Sequence, residues 1–236
     1  CGGTGGHINP AIAVANRIKM ISPGAEIAFV GTEKGMESSL VPKAGYPIRF
    51  VKVRGFKRKL TLANIDAAIK AVTSVVAAKR IIRDFQPDVV IGTGGYVSWP
   101  TVKAAAKLGV PTLIQEQNAF PGVTQRMLAK YADKICVPIF CVSFEESRKF
   151  FDASVQDKIL LTGNPVSASG ITRAQAREKL GLEPGALYVV SSGGSLGAEK
   201  VNEYVFEVIG SYTGPKGIRH IHSVGRAGWE KYSTIA

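Results

Sequence analysis

The residues most able to do chemistry open the chain: Cys1-Gly2-Gly3-Thr4-Gly5-Gly6-His7-Ile8-Asn9-Pro10. Glycines this dense build neither a helix nor a strand interior, because each costs backbone entropy and packs no side chain. They do let a backbone approach a ligand closely. Pro10 to Met20 then reads as a helix, with Asn9 as N-cap and Pro10 in the first helical position. A glycine loop feeding a helix N-terminus gathers free N–H groups at the positive end of the helix dipole, which suits an anion. Two further junctions are of this kind, Gly92-Thr93-Gly94-Gly95 and Ser192-Gly193-Gly194-Ser195-Leu196-Gly197-Ala198. None carries the dinucleotide fingerprint and none is a P-loop. Their shared property is a backbone that can cradle phosphate without a metal. Three in one chain point to a ligand, or a pair of ligands, with more than one phosphate.

His7 is the histidine of these loops. Beside a helix N-terminus its neutral form is favoured, which suits a general base; the alternative is a ring that only hydrogen-bonds and orients a neighbour. Glu116 and Asn118 sit where a strand ends, a place for polar groups that fix a sugar or peptide, although Glu116 could equally cap the helix after Pro121. Tyr96 and Trp99 could stack on a ligand or plug the sheet end. His220 and His222 alternate along a strand and read as packing residues.

Composition narrows the classes. There are 30 Lys and Arg against 18 Asp and Glu, a net charge of +12, which favours phosphate-bearing ligands or an anionic surface. The excess is concentrated in Arg49, Lys52, Arg54, Lys57, Arg58, Lys59, Lys70, Lys79, Arg80 and Arg83, with Asp66 as the acid among them. Only Phe50 and Phe56 accompany these bases, too few platforms for nucleic acid. The segment is either a membrane-docking surface or a core-facing helix with a solvated basic side. Three cysteines without CxxC spacing (Cys1, Cys136 and Cys141) argue against a zinc site or a disulfide framework, and for reduced thiols. No apolar run is long enough to span a bilayer.

The elements that must position these residues alternate. Strands are expected at 27–30, 48–53, 88–91, 112–114, 134–137, 159–161, 187–190 and 218–223. Helices are expected at 33–43, 98–108 (stopped by Gly109), 121–131, 143–151, 173–180 and 199–209. Leu62, Ile65, Ile69, Val72 and Val76 recur as one face of a long helix. This order implies an α/β fold with a parallel sheet covered on both faces, and ligands at the carboxyl ends of the strands. A strand is expected ahead of Gly2. Ser167 to Gly170 reads as a linker, giving domains 1–164 and 165–236.

Taken together, Gly2–His7, Gly35-Met-Glu-Ser-Ser-Leu-Val-Pro-Lys-Ala-Gly45, Gly92–Ser98, Glu116-Gln-Asn118, Gly163-Asn-Pro-Val166 and Ser192–Ala198 resemble the MurG family, the bacterial UDP-N-acetylglucosamine transferases of peptidoglycan synthesis. The similarity runs through the chain in order. It implies a GT-B architecture of two Rossmann-like doubly wound domains, the second incomplete here. The implied reaction is inverting transfer of GlcNAc from UDP-GlcNAc to the muramyl O4 of lipid I, an undecaprenyl-linked acceptor. The product is lipid II, for cell-wall growth and division, and no metal or other cofactor is implied.

The resemblance makes His7 the base or base-assistant. It places Thr4, Gly5, Gly6, Gly94, Gly95, Tyr96, Glu116 and Asn118 around acceptor and donor sugar. It gives Gly193, Gly194, Ser195, Leu196 and Gly197 to the donor phosphates. It puts the protein on the cytoplasmic face of the membrane as a peripheral enzyme, docked through the basic 49–83 segment, with no nucleic-acid partner. One departure is Ser167, where the family usually has arginine; Arg173 could reach in instead. The family's uracil- and ribose-contacting segments lie beyond Ala236, so this stretch alone is expected to be inactive. The rival readings are a diacylglycerol-type GT-B glycosyltransferase, a sugar-nucleotide epimerase, and a non-enzymatic module for anionic lipid surfaces.

Overall fold

Short apolar runs ending in glycine become short strands, and longer amphipathic runs become the helices that cover them. The computed structural model describes residues 1–53, 63–118, 120–137, 149–167, 170–194, 197–213 and 218–233, with backbone alone over 63–72. The chain divides into two units, Cys1–Ala168 and Ser169–Ala236.

In the first unit the order is α1 (Gly5–Ile21), β1 (Phe29–Gly31), α2 (Glu37–Lys43), β2 (Ile48–Phe50), α3 (Ala63–Phe85) and β3 (Val90–Gly92). There follow α4 (Ser98–Lys107), β4 (Thr112–Gln115), α5 (Val123–Leu128), β5 (Lys134–Val137), a 3₁₀ turn (Ala153–Lys158) and β6 (Ile159–Leu161). All pairings are parallel. β1 pairs with β2 in one sheet, and β3-β4-β5-β6 form a second, with Gly92 opposite Ile114 and Ile114 opposite Ile135. Between β1 and β3 lies a cavity of about 530 Å³, lined by Ala15 and Ile18 of α1, Phe29, Val90, and Ile82 and Phe85 of α3.

The core of the larger sheet is Val102, Ile114, Leu128, Ile135, Val155 and Ile159, all buried. Small residues let α3 lie close on α4, where Ala78 meets Ala104 and Ala105. This shifts the stripe read from the sequence. Past residue 72 the buried positions are Ser74, Ala78 and Ile82, and Val76 is 61% exposed. The second unit contains α6 (Arg173–Lys179), β7 (Leu187–Ser192), α7 (Glu199–Tyr212), β8 (Ile218–Ser223) and α8 (Gly225–Tyr232), with β7 and β8 parallel in register from Leu187–Ile218 to Ser192–Ser223.

Two helix starts differ from expectation. α1 begins at Gly5 with Thr4 as its N-cap, so Asn9 and Pro10 lie inside it. A proline early in a helix gives up one hydrogen bond and leaves later turns intact. α2 begins at Glu37 because residues 33–36 form turns, closed by the Gly35 amide on the Thr32 carbonyl at 3.3 Å. The helix read at 143–151 lies mostly outside the described residues.

Candidate active site

The first two glycine loops, from different sequence regions, meet face to face. Gly95 has φ +75°, and a Cβ there would fall 2.1 Å from the Gly2 carbonyl oxygen. Gly94 has φ +103°, and a Cβ there would fall 2.5 Å from His7 Nδ1. Only glycine permits both contacts. Ser98 locks the second loop, its hydroxyl donating to the Gly94 carbonyl at 2.6 Å and accepting from the Gly94 amide at 3.0 Å. Thr93 ties the loops together by donating to the His7 carbonyl at 2.8 Å.

Because α1 starts at Gly5, Gly5 and Gly6 occupy its first turn, where N–H groups have no intrahelical acceptor. The His7 and Ile8 amides fold back onto the Thr4 carbonyl at 3.0 and 3.2 Å. The Gly5 and Gly6 amides are therefore the donors this turn can offer an anion.

His7 is oriented by a residue that sequence reasoning quoted but gave no role. Gln117 Oε1 lies 2.9 Å from His7 Nδ1. The Gln117 amide nitrogen donates to the carbonyls of Thr93 at 2.8 Å and Gln115 at 3.1 Å, and to the Gln115 side chain. The oxygen end of Gln117 must then face the histidine, so His7 Nδ1 carries the proton. In the neutral ring the lone pair sits on Nε2, the geometry a general base needs. Gln117 stands two residues past the end of a strand, between two polar residues, and its position there was the available signal.

Two buried carboxylates hold the loops. Glu37, fully buried, accepts from the Gly3 amide at 3.1 Å and from the Thr32 amide and hydroxyl at 2.9 and 2.8 Å. A Cβ at Gly2, Gly31 or Gly35 would fall 2.8, 2.5 or 2.2 Å from its side chain, which explains three glycines at once. Burial alone would raise its pKa; hydrogen bonds from its own amide, from Thr32 and from Gly3 outweigh this and hold it below the usual carboxylate value. Glu37 carries no sequence signal because its partners, the Thr32 amide and hydroxyl and the distant Gly3 amide, form no recognisable motif with it.

Glu116, 1% exposed, organises its own turn. Oε1 accepts from the amides of Gln117 and Asn118 at 2.8 and 2.9 Å and from Asn118 Nδ2 at 2.7 Å, and Oε2 from the Gly122 amide at 2.8 Å. With one Nδ2 proton held by Glu116, Asn118 has its side-chain oxygen and its second N–H to offer a ligand. Asn164, from the Gly163-Asn-Pro-Val motif, joins this turn through the Gln117 carbonyl at 3.3 Å. Tyr96 is 41% exposed beside the second loop, and Trp99 carries the Lys103 ammonium 4.3 Å from its ring centroid.

Among the described residues no cluster of three His, Cys, Asp or Glu side chains could hold a metal ion. Cys1 and Cys136 are free, and burial raises the Cys136 thiol pKa, which makes it unreactive. Cys141 lies outside the described residues. So do Ser195 and Leu196 of the third glycine loop, and Arg54 and Lys57 to Lys59 of the basic segment. The described part of α3 turns Ala78 and Ile82 to the core and leaves Arg80 and Arg83 exposed, and Arg49 lies 3.9 Å from Asp84. No described helix is long and apolar enough to cross a membrane.

Parallel βα units with glycine loops at the strand ends define an α/β fold of the GT-B glycosyltransferase type. The chain belongs to glycosyltransferase family 28, whose N-terminal domain matches residues 1–137. It is 42% identical over 231 residues to the UDP-N-acetylglucosamine–N-acetylmuramyl-(pentapeptide) pyrophosphoryl-undecaprenol N-acetylglucosamine transferase of Acetivibrio thermocellus, covering 97% of this chain and 61% of that protein. The same-named enzyme of Phocaeicola vulgatus is 48% identical over 210 residues, 87% of this chain and 54% of the relative. The crystal structure of Acinetobacter baumannii MurG superposes with a TM-score of 0.63 at 28% identity, covering 99% of this chain and 61% of that one. The chain thus spans about three fifths of the length of such relatives.

Proposed function

We propose that this chain supplies the acceptor side, and part of the donor side, of an inverting transferase that moves GlcNAc from UDP-GlcNAc to the muramyl O4 of lipid I, giving lipid II. The observation that carries the reading is the Gln117–His7 pair, which puts the imidazole lone pair on Nε2 beside the glycine loops. His7 Nε2 takes the proton from the acceptor hydroxyl as its oxygen attacks C1 of GlcNAc. The bond from C1 to the UDP phosphate oxygen breaks on the opposite face, and UDP leaves with the electron pair. The amides of Gly5 and Gly6, with Gly94, Gly95 and Tyr96, hold the lipid diphosphate. Asn118, set by Glu116, and Thr4 fix the sugar. The loop Gly193–Gly197 receives the donor diphosphate, where oriented N–H groups stabilise the leaving charge.

The 49–83 segment docks the protein on the anionic cytoplasmic face of the membrane as a peripheral enzyme. The names of the relatives, which specify this donor and acceptor, support the substrate assignment. The test is titration with a soluble lipid I analogue. Saturable binding by the chain is expected, lost in Asn118→Ala and in Gly5→Val. Equal binding by both variants overturns the acceptor assignment. A nucleic-acid or purely electrostatic module would instead bind according to salt and ignore both substitutions.

A further inference from the structure

The second unit contains a chain of polar side chains that the reading above does not use. Tyr212 of α7 hydrogen-bonds His220 Nδ1, His220 Nε2 lies 2.7 Å from Ser191 Oγ, Ser191 Oγ lies 2.7 Å from His222 Nδ1, and His222 Nε2 lies 2.9 Å from Asn202 Oδ1. Its direction is fixed from one end. Asn202 Nδ2 donates to the Val224 carbonyl at 3.0 Å, so its oxygen faces His222, and His222 Nε2 must carry a proton. His222 Nδ1 then accepts from the Ser191 hydroxyl, Ser191 accepts from His220 Nε2–H, and His220 Nδ1 accepts from Tyr212. With neutral rings, this direction makes both imidazoles Nε2–H tautomers.

The far end of this chain is the glycine loop between β7 and α7. Asn202 is 1% exposed, and its amide donates to the Ala198 carbonyl at 3.0 Å. A Cβ at Gly193 would fall 2.7 Å from the Ala198 amide nitrogen and 3.3 Å from Asn202 Oδ1, and one at Gly228 would fall 2.6 Å from Asn202 Nδ2. A Cβ at Gly197 would fall 2.2 Å from the Val224 oxygen that Asn202 holds. Both loops at the carboxyl ends of β7 and β8 are thus built around one amide.

We propose that Ser191, His220 and His222 are positioning residues, forming a one-way relay that locks Asn202 and, through it, Gly193, Gly197 and Gly228 beside the place that receives a diphosphate. This rests on the reading of the glycine loop as the donor-phosphate site. The groups facing the two histidines are Ser191 from β7, and Asn202, Phe206 and Tyr212 from α7; the titratable neighbours of His220 are Tyr212, with ring centroids 5.7 Å apart, and His222, at 6.2 Å. A proton on His222 Nδ1 would face the Ser191 oxygen and break the direction of the relay. A second proton on His220 would add repulsion.

The test is nitrogen-15 NMR of the whole chain, followed by titration with inorganic pyrophosphate. At neutral pH both imidazoles are expected as Nε2–H tautomers. In Ser191→Ala the tautomers mix and the Gly193, Gly194 and Gly197 amide resonances move. Pyrophosphate binding is expected to weaken about tenfold in His222→Leu, the loss of one directed hydrogen bond. In His222→Gln, which keeps an N–H toward Asn202, it stays close to wild type. If His222→Leu fails to fold, Ser191→Ala carries the same comparison, since its small side chain leaves the packing unchanged. A His222 Nδ1–H tautomer, or glycine amides that ignore Ser191→Ala, overturns the relay. The expected tautomers and loop shifts without pyrophosphate binding in the wild type would uphold the relay and overturn the donor-phosphate reading.

Discussion

The two glycine-loop regions are built by opposite electrostatic means. In the first unit, buried carboxylates gather backbone amides: Glu37 holds Gly3 and Thr32, and Glu116 holds residues 117, 118 and 122. In the second, a neutral string of hydroxyl, imidazole and amide groups does the same work. A carboxylate accepts several N–H groups at once and so fixes a tight loop with one side chain. It also places negative charge beneath the site proposed for a diphosphate, so the remaining free amides have to outweigh it. A neutral relay adds no such charge but depends on every link keeping its proton.

The comparison can be broken most strongly at the loop contacts. Gly95→Ala sets a Cβ against the Gly2 carbonyl at a positive φ, and neither backbone can yield. A loss of about 4 kcal/mol is expected in denaturant unfolding of the first unit, with the second unaffected. Glu37→Ala leaves the buried amides of Gly3 and Thr32 without an acceptor, for a loss of about 3 kcal/mol by the same measurement. Gly94→Ala is milder for stability, because the clashing atom is a movable imidazole nitrogen. Its effect falls on binding, since His7 must swing off Gln117, and affinity for a lipid I analogue is expected to fall about tenfold.

Acid should separate the two devices. Glu37 has a folded-state pKa below its ordinary 4.5, so its stabilisation is complete above that value and is lost as pH falls through the lower one. Asp133, held down by the Thr112 hydroxyl and amide, acts in the same direction. His220 is shifted below its ordinary 6.5 by burial and by His222. The unfolded chain therefore takes up that proton first, and the second unit loses stability from 6.5 downward until the folded ring also titrates. Trp99 reports the first unit and Trp229 the second. Melting followed through Trp229 in a Trp99→Phe variant should fall as pH drops through about 6.5. Melting through Trp99 in Trp229→Phe should show one step between pH 8 and about 6, where the unfolded chain protonates the Cys1 amine that burial holds low in the fold, and a further fall only in the carboxylate range; a Trp229 curve without a step below 6.5 would refute the contrast. The smallest effect is expected at Thr172→Ala, which removes the capping box of α6 and costs about 1 kcal/mol in the second unit alone.

What could be read in advance followed from local rules. Gly94, Gly95 and His7 were legible because dense glycine has few structural uses, and Gly109 because a helix needs a stop with positive φ. β5 and β6 fall where their apolar runs placed them. Glu37 was not legible, because tertiary partners leave no mark on a residue's own sequence neighbourhood; Gln117 carried a positional signal just past β4, but nothing there names His7 as its partner. The start of α1 departs from expectation because Asn9-Pro10 is a good local cap, yet Gly5 and Gly6 accept helical geometry between Gly2 and His7, the two residues the second loop packs against. Val76 was misread because a helical stripe assumes one neighbour along its length, and the small residues of α4 draw α3 onto a different face.

The two supports of His7 have a consequence for how the site opens. Its helix starts beside Glu37 and β1, while Gln117, which sets its tautomer, extends from β4. One core ties these regions together: Val51, just past β2, packs with Ala78 and Ile82 of α3 and with Val97, Ala104 and Ala105 at and within α4. Amide hydrogen exchange should then find Val51, Ile114 and Ile135 protected in a single cooperative group. The pairing of His7 with Gln117 is therefore expected to last only as long as that shared core stays closed.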